Sequence, residues 1–178
     1  MGFHDVIEFW FSEKSLPNWF TVNRDFDHHI RHQFLETWRS ACRGELYPWR
    51  QQTKGRLAEI IVLDQFSRNL NRDSSQAYQQ DGQALILSQE LVFSPGWQEL
   101  NQVEQAVALL PWMHSESVTL HQQAEAMYAK VGHADFNEFE QRHSQIIKQF
   151  GRYPHRNAIM GRISSPQEMD WLLTHDGF

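Results

Sequence analysis

Three short stretches put charged or titratable side chains on faces that are otherwise apolar. A buried polar group left without a partner is costly, so each stretch must find partners within the fold or a ligand. The first is Leu63-Asp64-Gln65-Phe66-Ser67-Arg68-Asn69. Asp64 falls four residues after Ile60, beside the apolar run 60–63, and Arg68 falls four residues later, the spacing of an Asp–Arg pair on one helix face. Such a pair can simply tie off a helix end; alternatively it presents Asp64, Gln65 and Arg68 to a ligand. The second stretch is Leu110-Pro111-Trp112-Met113-His114-Ser115-Glu116-Ser117. Pro111 breaks one helix and Ser115 can cap the next, so His114 and Glu116 meet at a helix junction. His-x-Glu can supply an acid/base pair or two metal ligands. It fits equally well a first-turn Glu116 favouring the helix dipole, with His114 hydrogen-bonded to backbone.

The third stretch is the densest. His143 sits on an apolar stripe over 139–147, followed by Phe150-Gly151-Arg152-Tyr153-Pro154-His155-Arg156-Asn157 and Gly161-Arg162. Arg152, His155, Arg156 and Arg162 put four cationic or potentially cationic groups within eleven positions of an acidic chain. Guanidinium forks and the backbone donors of a helix start both favour an anionic ligand. The plainer alternative is that these arginines neutralise neighbouring acidic helices and that His143 is a satisfied core histidine. Asp25, His28, His29 and His32 place two histidines four apart on one helix face, a pattern expected mostly of a solvated surface. Asp81 falls on an inward face and should accept hydrogen bonds from arginine or backbone. His-Glu-x-x-His, Gly-x-x-x-x-Gly-Lys, Gly-x-Gly-x-x-Gly and Gly-x-Ser-x-Gly are all missing, which argues against the common zinc-protease, nucleotide-binding and serine-hydrolase classes.

Helices must position these groups. Phe26, Ile30, Phe34 and Trp38 recur every fourth residue over about 23–43, with Gly44 beyond. Asp5 and Thr53 are expected N-caps, Asp73 or Ser74 opens a fourth helix, and a fifth runs from about 99 to a stop at Pro111. A sixth covers about 115–131. Asp135 with Glu138 reads as a capping box for the next, a short helix fits 155–160, and Ser165-Pro166-Gln167-Glu168 opens the last. No segment alternates with period two. The chain is predicted to be all-α, with seven or eight helices in antiparallel hairpins and one domain over 1–178.

Composition agrees. The 178 residues are 40% apolar and include 7 Trp and 12 Phe, enough for a core. Sixteen Lys and Arg against 22 Asp and Glu give a net charge of −6, opposite to a nucleic-acid footprint. No apolar run approaches the roughly 18 residues of a membrane span, and the first residues lack the pattern of a secretory signal. A single cysteine, Cys42, fits a reducing compartment and a packing role. The expected location is the cytoplasm, with neither nucleic acid nor membrane as partner.

Phe9-Trp10-Phe11, Trp19-Phe20, Phe26-Asp27, Leu63-Asp64-Gln65-Phe66-x-Arg68-Asn69, Asp81, Pro111-x-Met113-His114-Ser115-Glu116, His143, Phe150 to Asn157 and Gly161-Arg162 together resemble a bacterial family, domain-of-unknown-function family 924. The resemblance implies a tetratricopeptide-like helical superhelix but no activity. Ser67 stands where the pattern leads one to expect proline, and His121 where it leads one to expect glutamine. The leading expectation is therefore a polar cleft binding a small carboxylate or phosphate without a cofactor. Its residues would be Asp64, Gln65, Arg68, His143, Arg152, His155, Arg156 and Asn157, with His114 and Glu116 as acid/base candidates. Two alternatives stand beside it: a metal-assisted hydrolase using His114, Glu116 and His143 or His155, and a non-enzymatic scaffold binding a peptide.

Overall fold

The computed structural model describes residues 1–175, with no strand among them; the last three positions of the expected 1–178 domain lie outside. Ten α-helical segments follow one another: α1 Phe3–Trp10, α2 Arg24–Cys42, α3 Thr53–Ile61, α4 Ser67–Leu70, α5 Asp81–Val92, α6 Gln102–Ala108, α7 Leu110–Met113, α8 Val118–Val131, α9 Ala134–Phe150 and α10 Pro166–Leu172. A π turn, Val62–Phe66, joins α3 to α4 without a break, and Leu109 alone separates α6 from α7. Counting each joined pair as one rod gives 10 − 2 = 8 helices among the described residues.

Capping explains most boundaries. Asn23 accepts from the backbone N–H groups of Asp25 and Phe26 at 3.0 and 3.2 Å and opens α2. Ser165 and Glu168 exchange side chain–backbone bonds of 3.2 and 2.7 Å, the capping box expected for α10. Gly132 and Gly151 close α8 and α9 at φ of 76° and 70°, where a Cβ would be strained. Several expected caps shift. Asp5 is the third residue of α1 and reaches back to the Gly2 N–H at 2.7 Å, while Gln52 rather than Thr53 holds the N-cap position of α3, without a side-chain cap bond. His133 precedes α9 with no side-chain cap, so Asp135 acts only through the helix dipole. Ser74 caps only the short 3-10 turn Ser75–Tyr78. Pro111 lies in the first turn of α7, where its missing N–H costs nothing. The 155–160 helix is a 3-10 turn, Pro154–Arg156.

The core gathers α1, α2, α3 and α5 to α9. Val6, Ile30, Phe34, Leu57, Leu63 and Leu109 are fully buried, each worth about 1.5–3 kcal/mol on burial. Because α3 is enclosed on nearly every face, its Glu59 needs a charge partner, and Arg50 forks onto it with two bonds of 2.7 Å. The helices α8 and α9 form a hairpin through Gly132 and His133. It is stitched by His121–Glu140 at 2.7 Å and Ser144–Glu125 at 2.6 Å. A smaller cluster of Ile146, Ile147 and Tyr153, with Phe150 and Trp171, seats α10 against the end of α9. No helix among the described residues is long and apolar enough to cross a membrane.

Candidate functional site

The first polar stretch enters the π turn, and this extra residue per turn brings Asp64 and Gln65 into the interior together. Asp64 is 1% exposed. Its carboxylate lies 3.0 Å from Arg68 Nη1, 2.8 Å from His114 Nδ1 and 2.5 Å from the Gln65 amide. Burial pushes this carboxyl up. The Arg68 charge and the His114 ring, with hydrogen bonds from His114 and Gln65, outweigh it and hold Asp64 well below the usual carboxylate range. His114 moves the other way: burial, and then Arg68, lower its imidazole below the usual value, only partly opposed by Asp64. In its uncharged form the ring donates Nδ1–H to the Asp64 carboxylate, 2.8 Å away.

Arg68 reaches onward from α4 to α5. Its guanidinium forks onto Asp81 with bonds of 2.9 and 3.0 Å and also donates to the Asp64 carbonyl at 2.7 Å. Asp81 thus finds the arginine partner expected of it. Arg156 approaches from the other side. It is sandwiched between Tyr78 and Tyr153, whose ring centres lie 4.6 and 4.4 Å from its guanidinium carbon. Its Nη1 donates to the His114 carbonyl at 3.1 Å and makes a long 3.5 Å contact with Asp81. Its Nε is buried without an acceptor among the described residues, and Nη2 makes no hydrogen bond among them. Burial, then the nearby Arg68, weaken the hold of this guanidinium on its proton. Both terminal nitrogens of Arg68 therefore meet carboxylates, whereas Arg156 Nε is buried without an acceptor among the described residues.

His143 closes one wall. Its ring centre is 6.4 Å from that of His114 and 5.8 Å from that of Tyr153, and Nδ1 bonds the Phe139 carbonyl at 2.7 Å. Burial holds its imidazole well below the usual value. Behind Tyr153, fully buried His121 is pinned between Glu140 and the Ser115 carbonyl, at 2.7 and 2.9 Å. It supports the Tyr153 hydroxyl at 3.2 Å, and that hydroxyl donates to Met113. His121 therefore braces Tyr153 from within the α8–α9 hairpin.

Asp64, Gln65, Arg68, His114, His143 and Arg156 thus converge, while four expected members do not join them. Glu116 does not pair with His114: it takes a two-pronged bond from Arg162 and accepts the Tyr153 N–H at 2.8 Å. The partner of His114 is Asp64. Arg152 forks onto Glu168 at 2.6 and 2.7 Å and donates to Ile163, which ties α10 down on the far side of Tyr153. Asn157 donates to Ser164 in the same tie, at 3.1 Å. His155 packs on the outer edge of Tyr153 with ring centres 5.5 Å apart, and burial followed by Arg156 lowers it to about 4. The expected presentation of Arg152 beside Arg156 fails because Gly151 and Pro154 turn the two side chains to different partners. Among the described residues, no group of three or more His, Cys, Asp or Glu side chains could hold a metal ion. The hydrolase donor set of His114, Glu116 and His143 or His155 is therefore not assembled, and neither are Asp25, His28, His29 and His32.

Tyr78 was not among the expected site residues, since one aromatic in a turn carries no spacing signal. Tyr153 lay inside a recognised block without an assigned role. The family model described as "Bacterial protein of unknown function (DUF924)" matches residues 6–176. A solved structure, "Structure of Protein of Unknown Function ATU0120 from Agrobacterium tumefaciens", is 30% identical with a TM-score of 0.89, covering 96% of each chain. No curated protein matches. The family match spans all three polar stretches and every helix that positions them, and the chain belongs to this bacterial family, DUF924.

Proposed function

We propose that the cleft formed by Asp64, Arg68, Asp81, His114, His143 and Arg156 binds a compact anion, a carboxylate or phosphate, on the free edge of Arg156. One observation carries this reading: Arg156 is 6% exposed, and its guanidinium Nε is buried without an acceptor among the described residues. A buried cation is costly unless its donors are met, so a fold that keeps one open is suited to receive an anion there. Asp64 and Asp81 hold Arg68 in place, and the two tyrosines hold Arg156 flat. The reading includes a cytoplasmic protein and helix hairpins of the tetratricopeptide-like kind.

A thermal-shift screen with phosphate, citrate, small phosphorylated compounds and dicarboxylates tests it. A ligand at about 100 times its dissociation constant adds roughly 2.7 kcal/mol of stability. The expected result is a clear rise in Tm with at least one such anion, lost in a folded Arg156→Met variant and kept in Arg152→Ala. If folded wild-type protein ignores every anion while an extended peptide stabilises it, a peptide-binding scaffold replaces this account.

A further inference from the structure

The open hydrogen-bonding positions of the cleft are of two opposite kinds. Arg156 Nε and Nη2 are donors without acceptors among the described residues. His114 supplies the complement. Asp64 Oδ1 lies 2.8 Å from His114 Nδ1 and 3.0 Å from Arg68, and a carboxylate beside a guanidinium is an acceptor, so the proton of the neutral ring sits on Nδ1. Nε2 then carries a lone pair, and it makes no hydrogen bond among the described residues. The two residues are neighbours: Arg156 Nη1 donates to the backbone oxygen of His114 at 3.1 Å.

Resting on the anion reading above, we infer that the site takes a 2-hydroxy carboxylate. Its carboxylate lies along the Nε–Nη2 edge of Arg156, and the hydroxyl on the adjacent carbon donates to His114 Nε2. Each rival anion leaves something unmet. A plain carboxylate desolvates Nε2 and gives it no proton, which is penalised more than a missing contact alone. A phosphate monoester dianion has only acceptors and turns an oxygen lone pair toward that of Nε2. A 2-amino carboxylate has the donor but places an ammonium group beside Arg68 and Arg156. The dyad of Asp64 and His114 thereby selects the ligand by holding one tautomer.

Calorimetric titration at pH 8 with malate, succinate and aspartate separates these cases. Malate is expected to bind about tenfold more tightly than succinate, the worth of one net hydrogen bond of about 1.4 kcal/mol, with aspartate weakest. In His114→Phe, malate should fall to the affinity of succinate while succinate binding persists. Equal binding of malate and succinate, both abolished in Arg156→Met, overturns the 2-hydroxy inference and leaves the anion reading standing. Absence of binding by all three, with no shift from any anion in the thermal screen, overturns both.

Discussion

Replacing Arg68 or Arg156 by methionine should have very different consequences, although both side chains face inward. Arg68 donates to the Asp64 carbonyl at 2.7 Å, lies 3.0 Å from the Asp64 carboxylate, and forks onto Asp81 at 2.9 and 3.0 Å. Its removal leaves one carboxylate that is 1% exposed and another whose side chain is 20% exposed without their main cation. Breaking a buried pair from one side costs about 3–5 kcal/mol. Arg156 has far less to lose: one neutral-acceptor bond of 3.1 Å, a 3.5 Å contact and two aromatic faces. The hydrogen bond contributes about 1 kcal/mol and each ring about 0.5–2 kcal/mol. Against these stands a desolvation penalty of several kcal/mol for a buried cation, which methionine removes while refilling most of the volume. Arg156→Met is therefore expected within about 1 kcal/mol of wild type, and Arg68→Met far below it. Urea unfolding in chloride buffer free of phosphate and citrate measures both. With a slope of about 2 kcal/mol/M, the Arg68→Met midpoint falls by about 1.5–2.5 M and that of Arg156→Met by under about 0.5 M. Equal losses would refute the distinction between a structural and a ligand-facing arginine.

Two further outcomes follow from the same geometry. Burial, helped by Arg68 at His114 and by Arg156 at His155, lowers the imidazoles of His114, His143 and His155, the last to about 4. Below about pH 6.5 the unfolded chain takes up protons that the native state declines. Their contribution is complete above that pH and is lost as pH falls toward the folded values, by about 1.4 kcal/mol per pH unit for each group. Glu140, raised by burial, opposes this only nearer the carboxylate range. Urea midpoints should drop between pH 7.5 and 5, less steeply in His155→Gln, and a flat profile would contradict the burial of these rings. Glu168→Ala removes the Arg152 fork and the α10 capping box, so hydrogen exchange should accelerate in 163–173. Anion affinity should stay within about twofold, because Arg152 belongs to that tie.

The helices were legible because their signals are local. The every-fourth-residue stripe of Phe26, Ile30 and Phe34 and the Ser165–Glu168 box each lie within a few turns of sequence. The Asp64–Arg68 pair was legible for the same reason. What escaped was the partner of each charge across the fold. Glu116 looked like the mate of His114 because it is two residues away, but the turn before α8 sends it to Arg162, and the mate comes from 50 positions upstream. Arg152 and Arg156 looked equivalent at a spacing of four residues. Outside a regular helix that spacing places nothing on one face, and the short 3-10 turn sends one to Glu168 and the other between two tyrosines. His121 shows the reverse case: its departure from the family pattern suggests a changed site, yet both ring nitrogens are bound within the hairpin.

The proposed anion contact with Arg156 can be tested directly through the side-chain Nε–H resonances in ¹H–¹⁵N spectra of the arginine-labelled protein. Titration with citrate or malate should move the Arg156 Nε–H resonance, assigned by its loss in Arg156→Met, saturably and at the dissociation constant seen by calorimetry. The Nε–H resonance of Arg152, which donates to Glu168 at 2.6 Å, should stay in place. An Arg156 resonance that does not respond to any of these anions, or that drifts in step with all the surface arginines, would contradict the account.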